Sequence, residues 1–359
     1  MREPPFGAAP SRRRAFATPG RTGTVGAVTN HDAAEVAARR RRLNGVKLRA
    51  LVRDHLAIDA VAEPDEFLPG AALVHDGAAW VLLDEHPATR LGAALVWTLR
   101  RGASPLHIVA EAATGVLARR AGAFATDVAV WHAEGRTLLP AVAEPFATVQ
   151  PVPEHHDAFR DTIVAGGAEP VIEHGVLIGE VRGLEVCRVV DDPHLDTTRL
   201  EVGVGAHDRE AFQMLHGDVP TVESLARVVA SVSEHRRVEA PQHPLNRLAA
   251  ERFLRWRVID DPSLVGMEVV VPASPPVRRA NLKDPVPCVA VGTDAAGARS
   301  VIVCSVGVDL DLVPFAADAR LAIGEELDLR IVLPARGLVR ATEQLATALA
   351  RPATFVTLD

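Results

Sequence analysis

The sequence contains no tyrosine, and only two of its 39 basic residues are lysines, Lys47 and Lys283. Chemistry that needs a lysine nucleophile or a phosphate-gripping ammonium therefore has two candidates in the whole chain. With abundant alanine and valine, this arginine bias is read as a compositional habit rather than a mechanism. Cysteine is scarce as well. Cys187, Cys288 and Cys304 form no CxxC, and an odd number cannot all pair within the chain. They are read as buried thiols of a cytoplasmic protein. No apolar run approaches the ~20 residues of a membrane-spanning helix. Residues 1–29 carry Arg12, Arg13 and Arg14 but no apolar signal core, and are read as a disordered basic tail.

What is present is ample core material, 48% hydrophobic residues in 359, and a formal charge of −7. The charge is uneven. Up to Ile58, twelve basic residues face four acidic ones, a net of +8, which leaves −15 on the remainder. The basic share peaks at Arg39, Arg40, Arg41 and Arg42 in a predicted helix capped by Asn30. That helix is the one place where nucleic acid finds an electrostatic foothold. A solvated basic face is the favoured reading.

The organising pattern lies between residues 281 and 359. Two β-branched runs, 288–293 and 300–306, flank the turn residues Asp294 and Gly297, a hairpin signal. A helix over 309–320, a strand over 327–333 stopped by Pro334, a helix over 338–350 and a strand over 354–358 follow. Cys288 and Cys304 are equidistant from the turn and are expected to face each other across it. The same order recurs near the N-terminus. There, strands 71–74 and 79–83 flank Asp76 and Gly77. Helix 89–101, strand 106–109, helix 115–124 and strand 128–131 come next. Parallel strands with right-handed crossovers are expected in both. The fold class is therefore α/β. Two related hairpin-α-β-α-β units, 30–136 and 245–359, flank a middle α+β module, 154–240. Residues 137–153, with four prolines, are read as a linker.

The middle module is expected to start with a helix over 155–164. Strands at 171–173, 176–178, 184–190 and 199–204 follow, then helices at 208–216 and from Pro220 to about residue 235. Residues 154–244 hold eight of the fourteen histidines. Strict alternation puts Glu185 and Cys187 on one strand face, with Glu201 on the neighbouring strand and Asp208 and Arg209 at its exit. Carboxylates on adjacent strands can hold a divalent metal that activates water. Glu185, Glu201 and Asp208 are the candidate metal ligands, Glu185, Glu201 and Arg209 the candidate catalytic set, and magnesium or manganese the ion. His155 and His156, consecutive on a helix, point roughly 100° apart and are not expected to share a metal. Asp84, Glu85, His86, Asp309 and Asp311 stand where strands enter helices and are read as caps.

The order of a helix, three or four strands with acids on the last two, and a helix resembles the PD-(D/E)XK nuclease superfamily. That resemblance covers element order. In the position of the family's Glu-x-Lys the chain has Glu201, Val202 and Gly203, so Arg209 is the nearest basic substitute. The resemblance implies a non-catalytic or weakly catalytic nuclease-like protein, a binding or scaffold module with a protein partner and no resident cofactor. A metal-dependent phosphodiester hydrolase is the alternative. Duplicated hairpin-α-β-α-β units also resemble the actin-like ATPases, with a nucleotide cleft between the copies. The strand 184–190 and the exit 202–210 resemble an uncharacterised actinobacterial family, which implies no activity.

Overall fold

The computed structural model describes residues 30–192, 196–205, 209, 221–239, 243–278 and 286–359. The expected tail 1–29, the helix 208–216 with Asp208, and Lys283 lie outside these residues. Contacts divide the chain into two units, Met1–Arg40 and Arg41–Asp359. The architecture that follows is that of the second, to which α1 (Asn30–Leu56) contributes its residues from Arg41 onward.

The first sheet is built by β1 (Gly70–His75), β2 (Ala78–Leu83), α2 (Leu91–Arg101), β3 (Leu106–Ala110), α3 (Thr114–Ala121), β4 (Val128–Glu134) and β5 (Thr137–Pro140). Its strands lie in chain order. β1 and β2 are antiparallel, β2, β3 and β4 parallel, and β5 antiparallel to β4. The hairpin closes through Asp76 and Gly77, both at positive φ, which suits the right-handed twist of the strands. The segment read as a linker thus begins as a strand. Gly135, at φ 59°, turns the chain back, and an edge position tolerates Pro140 at the strand end.

The middle sheet is an antiparallel meander. It comprises α4 (Glu154–Asp157), α5 (Arg160–Ala165), β6 (Glu169–Glu173), β7 (Val176–Val181), β8 (Leu184–Asp192), β9 (Thr197–Val202) and α6 (Thr221–His235). The third sheet follows with α7 (Pro244–Arg247), α8 (Ala250–Asp260), β10 (Val269–Ala273), β11 (Cys288–Thr293), β12 (Arg299–Cys304), α9 (Leu312–Ile323), β13 (Asp328–Leu333), α10 (Arg340–Thr347) and β14 (Thr354–Thr357). β11 to β14 repeat the order and directions of β1 to β4. The two sheets differ at their edges, where one adds β5 beyond β4 and the other adds β10 beside β11.

The helices α2, α3, α9 and α10 pack into one core, with Leu95, Leu117 and Phe124 meeting Phe315, Leu345 and Leu349. Phe124 follows α3 and Leu349 follows α10, and these two equivalent residues form a β-bridge. The Ala125 N–H donates to Ala348 O at 2.9 Å, and the Ala350 N–H returns to Ala123 O at 3.0 Å. This reciprocal exchange is the ordinary hydrogen bonding of an antiparallel bridge. The outer face of the first sheet is covered by Leu48, Leu51 and Val52 of α1. The outer face of the third is covered by Leu254 and Val258 of α8.

Charge is buried in this joint too. Arg120 donates through Nε to Asp318 at 3.1 Å and through Nη1 to Asp311 at 2.9 Å, while Arg119 holds Asp318 from the other side at 2.8 Å. Asp311 also accepts the Gly92 N–H at 3.3 Å, so it caps α2 of the opposite unit rather than its own helix. A Cβ on Gly92 would lie 1.9 Å from the Leu310 carbonyl oxygen. Gly92→Ala should force the two helices apart and destabilise the fold by about 3 kcal/mol, measured as a lowered urea midpoint.

Candidate functional site

The middle sheet has two chemically different faces. Leu177, Leu184, Cys187, Val189, Leu200 and Val202 enter an apolar core with Leu225 and Val232 of α6. The pleat puts Glu173, Glu180, Glu185, Arg188 and Glu201 on the other face. Glu185 reaches that face through a bulge. The single step from Gly179 to Glu180 on β7 spans two residues on β8, Cys187 to Glu185, so Val186 is extra. Strict alternation had paired Glu185 with Cys187. The bulge instead places Glu185 beside Arg188, while the Cys187 thiol turns into the core, where burial pushes it up to about 12.

Glu185, Glu201 and Arg209 do come together. Arg188 grips the buried Glu185 with two hydrogen bonds, Nε to Oε1 at 2.8 Å and Nη2 to Oε2 at 2.9 Å. Arg209 adds Nη1 to Oε1 at 3.1 Å, and its Nε lies 3.5 Å from Glu201 Oε2. Arg199 donates to Glu201 Oε1 at 2.9 Å and also pairs with Asp192. Each carboxylate is thus matched to guanidinium groups. The hydrogen bonds that Arg188 donates to Glu185 hold its guanidinium still more firmly protonated. The third expected ligand, Asp208, lies outside the described residues.

The same face continues into the contact with α8. Arg252 donates to Glu180 at 2.7 Å and to Glu173 at 2.6 Å, and Arg255 reaches both oxygens of Glu180 at 3.3 and 3.2 Å. All four side chains are nearly inaccessible. A charged sheet face is therefore closed by a helix whose cations match it.

Residues set aside at the sequence level form the second cluster. His156 Nε2 is 2.8 Å and His155 Nε2 3.3 Å from Asp191 Oδ1, near the end of β8. Thr198 Oγ1 donates to the same oxygen at 2.8 Å. Among the described residues, this is the one group of three His, Cys, Asp or Glu side chains whose ligand atoms could hold a metal ion. The two histidines are consecutive in the helical turn α4, so their Cα–Cβ bonds diverge as expected. The side chains nevertheless bring both ε nitrogens to one Asp191 oxygen, with the rings edge to face at 83°.

No protein-family model, no curated protein and no solved structure matches this chain.

Elsewhere, the basic side of α1 is largely turned to acids. Arg41 meets Glu66 at 3.1 Å, Arg49 meets Glu63 at 2.8 Å, and Lys47 meets Glu111 at 2.7 Å. The first two pairs line a cleft of about 500 Å³ between α1 and residues 63–71. Cys288 and Cys304 are direct cross-strand partners, as their spacing implied, and both are buried with no disulfide between them. No helix among the described residues is long and apolar enough to cross a membrane.

Removing the Glu185 charge strands two guanidinium groups. Glu185→Gln should destabilise the chain by about 3 kcal/mol in urea unfolding, whereas a solvated surface glutamate would cost less than about 0.5 kcal/mol.

Proposed function

We propose that this chain is a binding or scaffold module, and that Glu185 and Glu201 serve its structure rather than hydrolysis. One observation carries the reading: the carboxylates that a divalent metal would need are already engaged by Arg188, Arg209 and Arg199. A metal entering between them would sit beside fixed positive charge and would first have to displace it. Within the nuclease-like resemblance, this describes a non-catalytic member. The actin-like alternative needs a nucleotide cleft between the terminal units. Packing of Leu95 and Phe124 against Phe315 and Leu349 in one core disfavours it.

The test is hydrolysis of bis-p-nitrophenyl phosphate in Mn²⁺ by the parent protein and by Glu201→Ala. Equal, background rates are expected. Turnover by the parent that is lost in the variant would replace the scaffold reading with the hydrolase.

A further inference from the structure

We propose that His155, His156 and Asp191 form a binding site for a divalent transition metal, with zinc the ion it fits best. This goes beyond the scaffold reading and does not depend on it, because the cluster shares no residue with the Glu185 network. The geometry comes first. The ligand atoms of the three side chains all lie within 4.8 Å of one another. The two imidazole nitrogens stand 2.8 and 3.3 Å from a single carboxylate oxygen. A tetrahedral zinc with bonds of about 2.0–2.1 Å separates its ligand atoms by roughly 3.3 Å. Small side-chain rotations suffice to admit the ion.

The donor set decides the metal class. Two imidazoles and one carboxylate favour zinc and its neighbours over magnesium or calcium, which prefer all-oxygen shells. No thiolate is present to draw copper(I). The Thr198 hydroxyl donates to the same Asp191 oxygen at 2.8 Å and holds the carboxylate in place. The cluster also has an inside and an outside. The His156 side chain is 11% exposed, whereas those of His155 and Asp191 are 60% and 59% exposed. An ion anchored on His156 therefore keeps one side open to water, which would complete a four-coordinate shell. Three protein ligands and an open position also suit capture of a ligand from a second macromolecule.

The experiment is a calorimetric titration of chelator-stripped full-length protein with Zn²⁺, repeated on His155→Ala and Asp191→Asn. Both side chains are exposed, so circular dichroism should show folded variants. His156→Ala is avoided because its ring is buried. One Zn²⁺ per parent chain is expected, with affinity reduced about tenfold or more in each variant. Co²⁺ should give the parent the visible absorption of a four-coordinate N/O site, and the variants should lose it. A parent that takes up no Zn²⁺, or variants that bind as the parent does, would overturn the proposal.

Discussion

The structure depends on arginine paired with carboxylate where water is excluded. At the joint between the first and third sheets, Arg120 and Asp318 are 2% and 0% exposed as side chains, and Arg119 and Asp311 complete the group. Between the middle sheet and α8, Arg252 and Arg255 answer Glu173 and Glu180. A buried pair of this kind adds little beyond an apolar contact of the same size, yet losing one partner leaves a bare charge in a dry place. The interactions therefore act as keys. Each part of the chain is compatible with its neighbour only in the arrangement that matches the charges.

This gives the arginine bias a structural use. Arg236 is fully buried and donates to the carbonyls of Arg182, Leu245, Leu248 and Ala249, tying the end of α6 to α7 and α8. Burial pulls its guanidinium down to about 10, still protonated at neutral pH. A lysine starts about two units lower, so the same burial would leave its charge less secure, and it has no planar fork for four acceptors. The same pairing bears on function. Acids that look like metal ligands in a strand pattern are spoken for once their neighbours are in place. The histidine cluster at the end of β8 is different, because its groups contact one another and Thr198 and, among the described residues, pair with no arginine.

Local periodicity made much of the fold legible. The hairpin, helix, strand, helix, strand order was readable in both terminal units because each element is short and bounded by Pro, Gly or Asp. The facing of Cys288 and Cys304 followed from counting outward from a turn. Three features were not legible, each for a physical reason. β5 is four residues in a proline-rich segment and exists because β4 offers it an edge. The bulge at Val186 reverses the face of Glu185 without any glycine on β8 itself to announce it. The pairing of Arg120 with Asp318 spans 198 positions, and that of His156 with Asp191 spans 35, so neither is visible in local spacing. Glu185, Glu201 and Arg209 stood out in the sequence as one candidate set, but the engagement of the two carboxylates by Arg188 and Arg199 was not legible there.

The most direct test of this account is a double-mutant cycle at the joint, with unfolding free energies measured for Asp318→Ala, Arg120→Met and the pair. The account predicts that Asp318→Ala costs about 3–5 kcal/mol and that adding Arg120→Met recovers a substantial part of the loss. If Asp318→Ala stays within about 0.5 kcal/mol of the parent, or the two losses simply add, the buried charges are not what commits the halves to each other.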